Sequence, residues 1–297
     1  MLPYQRTAQI FKDLFGHALS SAFLVVNNHR CTNHLQPFME DLKAKVLNKP
    51  VLHADETGFS FEGQRNWLHA ISTDEHSYYA VHNKRGTEAM DDINLLPGYK
   101  GVLVHDFWKS YHAFDCNHAL CNVHHVRDLT FCHEVENSRW AGSAKQLLLD
   151  VHAKVQRAKE AGASALSKGQ WQYWSKKYDD LVNEGGCLHP VAEKQKGKRG
   201  VTKKTRTQNM IERFREYKDQ ILAFAANFVV PFGNNKAEQA IRMMKVKQKI
   251  SGCFRSQQGA QDFADIRSYT ATMKKQGISI IEALGAAING TPFYSSA

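Results

Sequence analysis

Three acidic residues stand in segments where a carboxylate is costly to place or sharply oriented. Val51-Leu52-His53-Ala54-Asp55-Glu56-Thr57-Gly58 and Gly101-Val102-Leu103-Val104-His105-Asp106 are apolar, strand-like runs, and each reaches an Asp near its predicted C-terminal end. Asn234-Asn235-Lys236-Ala237-Glu238 puts a Glu on the first turn of a predicted helix. A buried strand tolerates a carboxylate poorly unless a cation or hydrogen bonds compensate it. Gathered together, Asp55, Asp106 and Glu238 are candidate catalytic and metal-binding residues for Mg2+. Mg2+ takes few carboxylates and keeps waters and substrate phosphate. Two such ions about 3.5–4 Å apart activate the attacking oxygen and stabilise the leaving oxygen in phosphodiester chemistry. Alternation along a strand turns Glu56 and His105 to the other side of the sheet.

Each acid also has a purely structural reading. Asp55, before Thr-Gly, can form a turn, and Asp106 can cap the helix that follows. With Asn235 as N-cap, Glu238 sits at N3 of a capping box, a position that is still able to aim a carboxylate at metal.

A formal net charge of +10 and a pI near 9.2 favour a polyanionic partner such as DNA, although generic basicity gives the same numbers. Arg242, Lys245 and Lys249 follow Glu238 on one helical face, while Ala237, Ile241 and Met244 line another. This is either a phosphate-tracking stripe or an ordinary solvated face, and Arg255 extends it after a Gly-containing turn. The acid-free stretch at 194–206, with Lys198, Arg199, Lys203 and Lys204, is predicted to be a mobile loop. It reads as a solvated linker or as a phosphate-gripping arm.

In Cys121-Asn122-Val123-His124-His125-Val126-Arg127, the residues His124, His125 and Arg127 are expected to point to the catalytic cleft and DNA. The competing reading is zinc on a C-x-x-H pair with Cys116, His118, Cys132 and His133 nearby, but no second tight pair supplies four clear ligands. Trp140, Trp171 and Trp174 fit a helical core, with base stacking the lesser option. Six cysteines without C-x-x-C spacing argue against a secreted disulfide framework. No run approaches the ~20 apolar residues of a membrane span, and the start lacks the apolar core of a signal peptide. A soluble, intracellular protein is expected.

The elements that must carry these residues follow from hydrophobic period. Residues 4–22 read as one or two short helices, either a helix-turn-helix or a simple hairpin, and a further helix covers 35–47. Strands are predicted at 51–54, 66–72 and 78–82, with Gly63 marking the first turn. A helix over 87–96 stops at Pro97-Gly98, and strands follow at 101–105 and 119–122. Residues 124–228 read as helical, followed by the Glu238 helix and terminal helices at 260–275 and 279–288. The order implies an α/β protein with a mixed sheet flanked by helices. The expected parts are a helical N-terminal segment at 1–48, a first core part at 49–138, an all-helical insertion at 139–228 and a second core part at 229–297.

Five ordered motifs carry a resemblance: His53-Ala54-Asp55-Glu56-Thr57-Gly58, Gly101 to Asp106, Cys121 to Leu129, Asn234 to Arg242, and Lys249-Ile250-Ser251-Gly252-Cys253-Phe254-Arg255-Ser256. Together they resemble the insertion-sequence 66 family of bacterial transposases over nearly the whole chain. The resemblance implies a DDE-type enzyme whose RNase H-like core is interrupted by the helical insertion before the last acid. Asp55, Asp106 and Glu238 would bind Mg2+ or Mn2+, nick transposon ends and let the freed 3′-hydroxyl attack target DNA. The implied setting is bacterial, cytoplasmic and nucleoid-associated, with homo-oligomers on DNA and accessory proteins of the same element. Relatives usually carry further N-terminal sequence with DNA-binding and zinc-binding segments, and 23–32 looks unlike the regular helix found there. A truncated, non-catalytic DNA-binding remnant that regulates transposition is therefore the alternative expectation. A metal-dependent nuclease without strand transfer shares the same acids.

Overall fold

At Pro50 the apolar pattern changes from helical to alternating, and the backbone changes with it. A computed structural model describes residues 2–61, 63–191 and 203–294. Helices α1 (Tyr4–Phe15) and α2 (Ser21–Leu47) precede strands β1 (Val51–Phe61), β2 (Gln64–Ser72) and β3 (Ser77–His82). Next come α3 (Thr87–Ile93), β4 (Val102–His105), a 3-10 turn (Lys109–Ala113) and β5 (Asn117–Leu120). Six helices follow: α4 (Asn122–Glu134), α5 (Arg139–Glu160), α6 (Lys168–Leu188), α7 (Arg206–Glu216), α8 (Lys218–Ile221) and α9 (Ala223–Ala226). The last three are α10 (Asn235–Ser251), α11 (Gln257–Lys275) and α12 (Ile280–Ile288). The strands form one mixed sheet in the order β3-β2-β1-β4-β5, with β1–β2 and β2–β3 antiparallel. The α/β expectation with helices around a mixed sheet is met at this level. No described helix is long and apolar enough to cross a membrane.

The chain divides into two compact units. The first comprises the residues up to Leu103, Trp108–Asn117 and those from Asn235 onward. On one face of its sheet Phe59, Leu68, Ala70 and Tyr79 pack with Ala240 and Met244 of α10 and Ala260 and Ala264 of α11. On the other, Leu52, Ala54 and Ile71 join Leu35, Phe38 and Leu42 of α2 and Tyr269 and Met273 of α11. Each fully buried Leu, Phe or Met among them is worth about 1.5–3 kcal/mol against exposure. The outer edge of β3 is closed by α11. Ser77 N–H donates to Thr272 Oγ1 (3.1 Å) and Tyr79 N–H to Ser268 Oγ (2.9 Å), so this edge offers no open ladder to another chain.

The second unit comprises Val104–Phe107 and His118–Asn234 and is largely helical. Its core includes Trp140, Leu148, Val151, Tyr178 and Phe214. The Trp140 indole N–H donates to the Leu181 carbonyl at 2.8 Å. A Cβ at Gly185 would lie 2.4 Å from that nitrogen, so glycine is required for the close approach. Trp140 is thus a core residue, as the helical stripe predicts.

Several boundaries differ from expectation. Helix α2 is continuous from Ser21, with Ser20 Oγ accepting the Phe23 N–H at 3.0 Å. Its buried stripe of Cys31, Leu35, Phe38, Leu42 and Val46 keeps helical spacing, and cap plus stripe carry the helix through 23–32. Strand β1 continues to Phe61, because β2 pairs with it as far as Phe61↔Gln64. Helix α3 stops at Asn94 in the left-handed region (φ 52), ahead of the proline. Thr205 caps α7 with a reciprocal Gln208 capping box, so the predicted loop ends before Arg206. Positions 194–202 lie outside the described residues.

Candidate functional site

Asp55 lies within β1, opposite Ala70 in the ladder. It is not at the strand end, and the turn reading fails because the antiparallel pairing runs on through Thr57, Gly58 and Phe59. Alternation puts Asp55 on the same face as Thr57 and Phe59, the face that Ala240 and Met244 of α10 cover. Its Oδ1 accepts the Glu56 N–H at 2.8 Å. Glu238 is in the first turn of this same α10, half-buried. Helix α10 is tied down by Lys245 Nζ, which donates to the Gly58 carbonyl at 3.1 Å. An ion pair between Lys236 and Asp74 adds a second tie. The helix begins at Asn235, one residue before the expected start. Asn234 therefore precedes the helix, and Glu238 is one step beyond the N3 position of a capping box.

Glu56 points to the opposite face, as alternation requires, and is only 7% exposed. Arg85 Nε donates to its Oε1 at 2.8 Å and the Tyr111 hydroxyl to its Oε2 at 2.5 Å. A buried carboxylate with a guanidinium and a hydroxyl is compensated, and removing either partner would leave an expensive charge. The Arg85 guanidinium lies 4.9 Å from the Trp67 ring centre and 3.7 Å from that of Trp108.

In the second unit Asp106 directly follows β4. The preceding His105 is fully buried. Its Nδ1 bonds the Asp106 carbonyl, and its Nε2 lies 3.0 Å from His118 Nδ1. With Nδ1–H donating, Nε2 accepts from His118, an assignment made from the network. Asp106 does not occupy the N-cap of the 3-10 turn; Trp108 does. The Phe107 ring lies beneath the Arg213 guanidinium of α7 (4.0 Å) and edge-on to Tyr217 (5.0 Å). Burial lowers the Arg213 pKa, and the charges of Asp128 and Asp106 oppose that shift. Asp128 Oδ2 is 3.5 Å from Arg213 Nη1.

The predicted cations divide. Arg242, Lys245, Lys249, Arg255, Arg127 and Lys203 are exposed, and His124 is half-buried. His125 is 1% exposed, with Nδ1 3.1 Å from Asn122 Oδ1 and its ring edge-on to Phe214 at 5.5 Å. Burial pushes its pKa down to about 3, with Arg213 and His124 adding to the shift. A neutral, enclosed imidazole cannot contact DNA, which corrects the expectation for His125. Lys204 is engaged by Glu212 of α7, with Nζ 2.6 Å from Oε2. Lys198 and Arg199 lie outside the described residues.

The C-x-x-H pair does approach, since Cys121 and His124 offer ligand atoms within 4.8 Å. The Cys121 sulfur also accepts the Asn234 N–H at 3.2 Å. The other four residues do not gather around them. His118 bonds His105, His133 Nδ1 lies 3.1 Å from the Ser138 carbonyl, Cys132 is sealed in α4, and Cys116 belongs to the first unit. Sequence reasoning missed Arg85, Trp108, Tyr111 and Arg213. The only local signal was an aromatic pair directly after Asp106.

A model of the Transposase IS66 family matches residues 1–262 of the chain. Comparison with curated proteins gave no match.

Proposed function

Because the chain belongs to the IS66 family of transposases, we propose that it is a catalytically active DDE enzyme on an RNase H-like core, with Asp55, Asp106 and Glu238 as its acids. The observation that carries this reading is that two of them belong to elements that pack together. Asp55 sits on the sheet face that α10 covers, and Glu238 is in the first turn of α10. Asp106 directly follows β4, the neighbour of β1 in the sheet order. The donor set is all carboxylate oxygen, which fits Mg2+ or Mn2+ rather than a thiophilic ion.

When bound, the divalent ion lowers the pKa of a coordinated oxygen and neutralises charge on the phosphate. The protein's own contribution is to fix the direction of the three carboxylates and to hold the DNA backbone. Arg242, Lys249 and Arg255 are the exposed cations suited to phosphate contact, with Lys245, Arg127, His124 and Lys203 as further candidates. In the first reaction a water oxygen attacks phosphorus at the transposon end, and the bond to the 3′ oxygen breaks to release a 3′-hydroxyl. In the second that hydroxyl attacks a target phosphate and displaces another 3′ oxygen. The work would be done by homo-oligomers on transposon-end and target DNA, aided by accessory proteins of the element, at the nucleoid of a bacterial cytoplasm.

The test is Mg2+-dependent cleavage and joining of the element's end DNA by the wild type and by Asp106→Ala. Loss of both reactions in the variant is expected, and equal activity would sink the reading. Cleavage without joining by the wild type would reduce it to a metal-dependent nuclease.

A further inference from the structure

The two residues after Asp106 are each stacked on an arginine, and the arginines come from different parts of the chain. Phe107 lies under Arg213, whose guanidinium is 4.0 Å from the ring centre, and Trp108 lies under Arg85 at 3.7 Å. Each arginine is itself held by a carboxylate. Arg213 pairs with Asp128 of α4 (3.5 Å), and Arg85 with the buried Glu56 of β1 (2.8 Å). The Trp67 ring centre is 4.9 Å from Arg85 as well, so this guanidinium lies against two indoles. Tyr111, three residues past Trp108, donates to the same Glu56 at 2.5 Å. The compact units change over between Phe107 and Trp108, and each stack lies wholly within one unit.

Asp106 lies past the end of β4 and before the 3-10 turn, and the His105 ring bonds its carbonyl. A ligand there gains a defined direction from what holds its neighbours, and metal affinity depends on that direction. Glu56 is moreover the residue after Asp55. The Glu56–Arg85–Trp108 chain of contacts lies within the first unit and reaches the backbone that follows Phe107. A flat guanidinium suits the task because it can stack on a ring and bond a carboxylate at once, whereas an ammonium is a point charge.

We propose that Arg85 and Arg213 are positioning residues that set the Asp106 carboxylate for metal through Trp108 and Phe107. The proposal rests on Asp106 being a metal ligand.

The experiment measures Mn2+ binding to the full chain by electron paramagnetic resonance, alongside the Mg2+ concentration for half-maximal end cleavage. Arg85→Ala, Trp108→Leu and Arg213→Gln are each expected to raise both values roughly 10-fold or more, with Trp108→Phe staying within about twofold of wild type. Arg85→Lys should resemble Arg85→Ala, because the charge survives and the stack does not. Cooperative melting identifies the folded variants; if Arg85→Ala fails that check, Trp108→Leu and Arg213→Gln decide. Wild-type metal binding in folded stack variants, with weakened binding in Asp106→Ala, would overturn the positioning role alone. Unchanged binding in Asp106→Ala itself would overturn the metal assignment on which it rests.

Discussion

Helices α4 and α10 look alike as sequences, each a short run with several basic residues near a chemically interesting acid or thiol. In the structure they do opposite things. The buried stripe of α4 is Asn122, His125, Leu129 and Cys132, and the candidate histidine falls on it. The buried positions of α10 are Ala237, Ala240 and Met244, and Arg242, Lys245 and Lys249 all fall off it, exposed. Helical phase against the buried stripe decides which cation meets solvent. Residue type then decides what burial does, since a histidine can go inside neutral, whereas lysine and arginine rarely do.

The largest expected effect lies at the head of α10. Glu238→Gln should abolish Mg2+-dependent cleavage while the melting transition survives, because the change removes a charge and not packing; retained cleavage would break the functional half of the comparison. Next, His125→Ala in α4 should cost about 3 kcal/mol of stability, from the lost ring and the stranded Asn122, with no change in DNA affinity. His125 also makes stability depend on pH. Its pKa is about 3 folded against 6.5 unperturbed, so the unfolded chain takes up the proton first. The contribution is fully present above the unfolded value. It falls by roughly 1.4 kcal/mol per pH unit below that value, down to the folded one. Chemical denaturation of His125→Asn between about pH 7 and 4 should give a shallower curve than wild type.

A smaller effect belongs to the exposed face of α10. Arg242→Ala and Lys249→Ala should each lower the slope of log affinity against log salt by about 1, uniformly across DNA sequences. The same measurement on His125→Asn should leave the slope unchanged. Smallest of all is Lys204→Ala. Its partner Glu212 is 40% exposed at the side chain, and such pairs are worth about 0–1 kcal/mol. A large loss of DNA binding in that variant would return Lys204 to the phosphate-contacting set.

Much of the scaffold is legible in the chain. The strand period of β2 and β3, the helical period behind α11, the Trp140 core position and the turn at Gly63 are local patterns with local causes. The order of Asp55, Asp106 and Glu238 and the motifs around them are legible in the same way, and they carry the family. The end of β1 is different. Thr57-Gly58 reads as a turn, yet the register with β2 runs through it, and Asp55 ends inside a ladder. The stacks on Phe107 and Trp108 are equally hidden, because Arg85 and Arg213 are far from them in sequence.

What the chain by itself determined is therefore the type and order of most elements, the order of the three acids and, through its motifs, the transposase family, all matters of neighbouring residues. Tertiary structure decided which side each residue faces and whom it meets: that Asp55 shares a face with α10, that Glu56 is buried against Arg85 and Tyr111, that His125 is sealed and Lys204 paired. The reason is physical. Backbone preferences act over a few residues, whereas burial and charge pairing depend on surfaces that come together only when distant segments pack.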